Sequence, residues 1–152
     1  MLTLLANVVW PALFLEERLL AWWVILIGLA VEAPFVRFLT GFSWKKTLAA
    51  DIAMNATSTI IGVVLIPLGG IAWEYVGEVT FYHRFNVGTF NPVTWCATFL
   101  IAVSISAALE FLTLRFAFKQ RLGGRGFCWL WLANSISAGL AFWSVFRFPA
   151  RP

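Results

Sequence analysis

"VEAPFVRF" at residues 31–38 and "LEFLTLRF" at residues 109–116 decide how this chain is read. Each sets a glutamate and an arginine five positions apart in a strongly apolar segment, Glu32 with Arg37 and Glu110 with Arg115. After Arg37 come a basic connection and "NATS", which holds Asn55 and Ser58. After Arg115 come a second basic connection and "NSIS", which holds Asn134 and Ser137. The step from Arg to Asn is eighteen residues in one copy and nineteen in the other, and the slip falls in the connection. This pattern predicts a duplicated helical hairpin, both copies facing the same way about a pseudo-twofold axis along the membrane normal.

The membrane enters through composition. Of 152 residues, 61% are hydrophobic and 12% charged, and the mean hydropathy is +0.86. Soluble domains carry about 45–50% apolar and about 25% charged residues, so lipid must solvate most of this surface. A bilayer core takes roughly 20 residues of helix to cross. Four stretches reach that length, at about 19–38, 47–68, 93–118 and 127–146. Local signals set their ends: Ser43 as a cap for the second, Asn91-Pro92 as cap and first-turn proline for the third. Pro67-Leu68-Gly69-Gly70 is read as the stop of the second span, and Gly123-Gly124 as the turn before the fourth.

The expected fold is therefore an all-α integral membrane protein, one domain over residues 1–152. Residues 1–18 form a short interfacial or half-inserted segment. Residues 19–68 are the first hairpin, 69–92 an aromatic outer loop and 93–147 the second hairpin. Residues 1–15 lack the positive flank of a signal peptide, and Pro11 interrupts them. The loop holds Trp73, Tyr75, Phe81, Tyr82, Phe85 and Phe90, unlike a solvated linker.

Charge placement gives an orientation. Arg37, Lys45 and Lys46 flank the first connection; Arg115, Lys119, Arg121 and Arg125 flank the third. That is seven of the eleven Lys and Arg residues. The positive-inside rule then puts both connections in the cytoplasm and both termini outside, in a bacterial inner membrane. Tryptophans fall into two belts, Trp22, Trp23, Trp73, Trp95 and Trp143 outside and Trp44, Trp129 and Trp131 inside. A pI near 9.6 thus reports topology, with membrane lipids as partners and no nucleic acid. Cys96 and Cys128 fall at opposite ends of their spans, too far apart to bridge, and read as small fillers.

The intramembrane charges are costly, about 2.5–3.5 kcal/mol each at the centre of a span, so they are expected to face inward and pair. At 1.5 Å per residue, Glu32 and Asn55 reach the same depth, as do Glu110 and Asn134. Asp51 is placed to meet Arg37, whereas its counterpart in the second copy is Leu130, which leaves Arg115 to find an acid elsewhere. The expected polar network is Glu32, Arg37, Asp51, Asn55, Ser58, Glu110, Arg115, Asn134 and Ser137, structural or solute-binding. Gly28 and Ser106, one turn before the glutamates, let helices approach.

No histidine lies in a span, and there is no CxxC, HExxH or phosphate-binding glycine loop. No catalytic residue, cofactor or metal is assigned, and an enzyme is not expected. The first expectation for function is a non-catalytic membrane subunit or scaffold, packing with itself or with other membrane subunits. The second is a small transporter or channel that uses the intramembrane carboxylates.

Overall fold

The computed structural model describes residues 10–85 and 91–147, and these are helical with no strands. The long elements are α1 (Trp10–Leu19), α2 (Trp22–Thr40), α3 (Trp44–Gly77), α4 (Pro92–Phe116) and α5 (Gly124–Arg147). A π-helical turn at Glu78–Tyr82 and a short helical stretch at His83–Phe85 continue α3. Helices α2, α3 and α4 are long and apolar enough to cross a membrane. Helix α5 has 24 residues, but Asn134, Ser135, Ser137 and Ser144 dilute its apolar character, and it is not among the three.

The ends of these helices follow local chemistry. Helix α2 stops at Gly41, whose φ of 67° is the left-handed conformation that glycine adopts without strain, and whose N–H returns to the Arg37 carbonyl. Helix α4 starts on Asn91, whose side chain accepts the Thr94 N–H at 2.9 Å, with Pro92 in the first turn. Ser43 occupies the cap position of α3, yet its hydroxyl makes no capping bond. The Thr47 hydroxyl, one turn on, contacts the Phe42 carbonyl instead.

Helix α3 departs from expectation. It does not stop at Pro67-Leu68-Gly69-Gly70 but runs on for 34 residues, about 50 Å at 1.5 Å per residue. Proline inside a helix that crosses lipid sacrifices a backbone bond that neighbouring groups can re-satisfy. The two glycines serve close packing rather than termination. A Cβ on Gly69 would lie 2.6 Å from Ile101 Cγ2, and one on Gly70 would lie 3.0 Å from Ala12 Cβ. The expected aromatic loop at 69–92 is therefore helical as far as Phe85, and residues 86–90 lie outside the described residues.

Helices α2, α3, α4 and α5 form a ring in which each packs on its sequence neighbour and α5 closes on α2. The α3–α4 interface is the most extensive and α2–α3 the least; α2 and α4 stand diagonally apart with no interface of their own. Aromatic contacts such as Phe35 and Phe38 on Trp129 join α2 to α5. Helix α1 touches all four and closes one end of the ring. Residues 1–9 of the expected interfacial segment lie outside the described residues. Within α1, Ala12 and Leu15 are fully buried in a cluster with Val24, Ile66, Ala102 and Ala141. A second cluster, Val36, Phe42, Ala50, Met54, Leu114 and Leu130, fills the other end. Cys96 and Cys128 are free and exposed, so they fill no core space.

Candidate functional site

Between the two apolar clusters lies a polar layer. In α2, Glu32 is held one turn beyond Gly28, where a Cβ would stand only 3.7 Å from Glu32 Oε1 and from Ser137 Cβ. In α4, Glu110 takes its hydrogen bonds, among the described residues, from α3 and α5. Both carboxyls are almost wholly buried.

Helices α3 and α5 each serve both carboxyls, with an amide and a hydroxyl three residues apart on one face. Asn55 donates to Glu32 Oε2 at 2.7 Å, and Ser137 donates to Glu32 Oε1 at 2.8 Å. Asn134 donates to Glu110 Oε2 at 2.6 Å, and the Ser58 hydroxyl lies 3.5 Å from Glu110 Oε1. Each glutamate thus takes its amide from the helix that follows it in sequence and its hydroxyl from the other half of the chain. Asn55 and Asn134 are braced against their own helices, through the carbonyls of Asp51 and Leu130, each at 3.1 Å.

The arginines take no part. Arg37 donates to the Phe42 carbonyl at 3.1 Å, and its guanidinium lies 4.6 Å over the Trp44 ring. Arg115 is exposed and lies 6.0 Å over the Phe116 ring. Neither pairs with an acid among the described residues, which corrects the expectation of buried ion pairs. Both sit in the last turn of a helix. There the side chain reaches the helix end and the interface at far lower cost than a charge drawn to the bundle centre. Asp51 is fully buried without the expected Arg37: its Oδ1 accepts a long bond of 3.4 Å from Asn55, and its Oδ2 has no hydrogen-bond partner among the described residues.

A third carboxyl, on α1, lines the same cavity as the layer. Glu16 is 8% exposed, and its Oε1 has no partner among the described residues. Burial raises its carboxyl above the usual range. Glu16 is not part of the polar network expected from the sequence. The signal was present in the spacing of Ala12, Leu15, Glu16 and Leu19, a helical stripe that puts the acid on the apolar face.

Glu16, Glu32 and Glu110 line one partly open cavity of about 70 Å³, together with Asn55, Ser58 and Ser137. No Lys, Arg or His lines it. A water needs about 10–15 Å³ of such space and a few polar partners, so the cavity has room for several waters or one small cationic group. Among the described residues, no three Asp, Glu, His or Cys side chains gather to hold a metal ion.

A smaller polar group that sequence reading also missed lies where α3 passes its expected end. Glu74 is buried, and the Tyr82 hydroxyl shares a hydrogen bond of 2.6 Å with Thr94, which Asn91 also reaches at 3.0 Å. A Cβ on Gly77 would lie 2.7 Å from the Tyr82 ring, so the glycine lets that ring fold back against α3.

Fold and site together define a helical protein with membrane-span-capable helices around a buried carboxyl layer. Comparison with protein families, characterised proteins and solved structures yields no match.

Proposed function

We propose that this chain is a small transporter or channel whose central carboxyls bind protons or a small monovalent cation. The observation that carries the reading is that Glu16, Glu32 and Glu110 all line one cavity that no basic residue lines. Polar glue alone calls for counter-cations or complete hydrogen bonding. Here both arginines lie elsewhere, and one cavity carboxyl oxygen has no partner among the described residues. Intramembrane carboxyls facing a wet cavity are the usual equipment of proton and cation pathways.

In this proposal α5 also spans, giving four spans built as a duplicated hairpin. The crossed Asn and Ser bonding to Glu32 and Glu110 favours that ancestry. The basic α2–α3 and α4–α5 connections lie in the cytoplasm and the termini outside, in a bacterial inner membrane. No catalytic role or cofactor is part of the proposal.

The test is proton flux into proteoliposomes under an imposed potential, read with an entrapped pH dye. Wild-type protein should conduct, and Glu32→Gln with Glu110→Gln should insert normally and lose the flux. Equal flux in wild type and the double variant would overturn the proposal. The second reading, a non-catalytic subunit or scaffold, is favoured by the overhang of α3. Tyr75 and Val76 on α3, and Val79 and Phe85 on the turns that continue it, are all exposed, and α3 alone is about 20 Å longer than a bilayer core of about 30 Å. Specific co-purification of a membrane partner that is lost when Tyr75 and Val79 are replaced by serine would support it.

A further inference from the structure

A groove opens on the outer face of the bundle between α2 and α3, the least extensive of the four ring interfaces. Its volume is about 340 Å³, and its walls include Leu29, Ile52, Ala56 and Ile60. Three further residues, Ile25, Asn55 and Thr59, line both this groove and the carboxyl cavity. The apolar groove and the acidic cavity therefore adjoin at these three residues, and one of them, Asn55, holds Glu32 Oε2 at 2.7 Å.

We infer that the site takes amphiphilic amines, which enter sideways from the bilayer with the tail in the α2–α3 groove and the ammonium at Glu32. This rests on the cation-site reading above and adds the substrate class and the route. Two features argue for this occupant. The cavity of about 70 Å³ admits a small cationic head but no drug-sized body, whereas the groove falls within the roughly 300–1,000 Å³ range of ligand pockets. Charge is complementary as well: Glu32 shares the cavity with two further glutamates, Glu16 and Glu110, and no basic side chain lines either space. A multidentate metal is disfavoured by the lack of a suitable ligand cluster among the described residues. A tail that travels within the bilayer never meets water, and only the head is exchanged, from the headgroup region to the carboxyls.

The experiment is calorimetric titration of the full chain in nanodiscs with hexylammonium, methylammonium and 1-hexanol, with empty nanodiscs subtracted. Hexylammonium should bind at least tenfold more tightly than either other probe, and Glu32→Gln should weaken it at least tenfold. Ala56→Trp, which fills the groove on an exposed position, should abolish hexylammonium binding and leave methylammonium binding intact. Ala56→Leu gives a graded version with less risk to folding. Methylammonium binding equal to that of hexylammonium, or no effect of either Ala56 variant, would overturn lateral entry while leaving the cation site standing. Heat no larger than in empty nanodiscs for both amines would overturn the cation site as well.

Discussion

Removing Asn134 should cost more than removing Asn55, although the two amides perform the same task on the two glutamates. The difference follows from what each carboxyl keeps. After Asn55→Ala, Glu32 retains the Ser137 bond at 2.8 Å, and the half-buried Asn55 position adjoins cavity space that water can enter. After Asn134→Ala, Glu110 retains only the Ser58 contact at 3.5 Å, too long to count for much. Interhelical side-chain bonds in membranes average about 0.6 kcal/mol and reach about 1.7 kcal/mol. The Asn134 bond at 2.6 Å belongs at the upper end, and a poorly satisfied buried acceptor adds to it. Asn134→Ala should therefore cost about 2 kcal/mol and Asn55→Ala less than about 1 kcal/mol. The assay is reversible unfolding in mixed micelles, with a double-mutant cycle of Asn134→Ala against Glu110→Leu. Equal losses for the two asparagines would refute the reasoning. So would a coupling within the roughly 0.3–0.5 kcal/mol seen for independent sites.

Gly69→Ala should destabilise, because the new Cβ would meet Ile101 Cγ2 at 2.6 Å. Overpacking of about 1–3 kcal/mol exceeds the helix-propensity gain of up to about 1 kcal/mol. Combining it with Ile101→Ala should cost less than the sum of the two, and simple additivity in the same unfolding assay would count against the close contact. For Glu16, burial raises the carboxyl, so its docked state is most stable below the ordinary glutamate range and loses stability as pH rises through the folded value. The thermal midpoint of Glu16→Gln should thus match wild type in acid and exceed it by a margin that grows from the ordinary glutamate range up to the folded value and then levels off; a difference that does not vary with pH would contradict this. Finally, in a Cys96→Ala, Cys128→Ala background, cysteines at Lys45 and Arg121 should resist an impermeant thiol reagent in intact cells. One at the exposed Arg84 should react, and the reverse pattern would invert the proposed orientation.

The sequence alone determined the helical class and the membrane-like surface, because both depend on how much apolar area the chain carries and over what run of residues. It also determined that Glu32 shares a level with Asn55 and Glu110 with Asn134, since the rise per residue fixes depth once a helix is granted. Tertiary packing decided what depth cannot express. Gly69 and Gly70 look the same in sequence whether they end a helix or admit a neighbour. Only the approach of Ile101 and Ala12 selects the second, and with it the continuation of α3 to Gly77. Arg37 had Asp51 within the same hairpin as a partner on paper. A carbonyl at the helix end and the Trp44 face satisfy it near the interface, where a cation stays at lower cost. The hydroxyl bonds from Ser137 to Glu32 and from Ser58 toward Glu110 join residues 105 and 52 positions apart. Glu16 joins them only because α1 docks into the end of the ring. Such convergence is a property of how helices close on one another, and no local pattern along the chain encodes it.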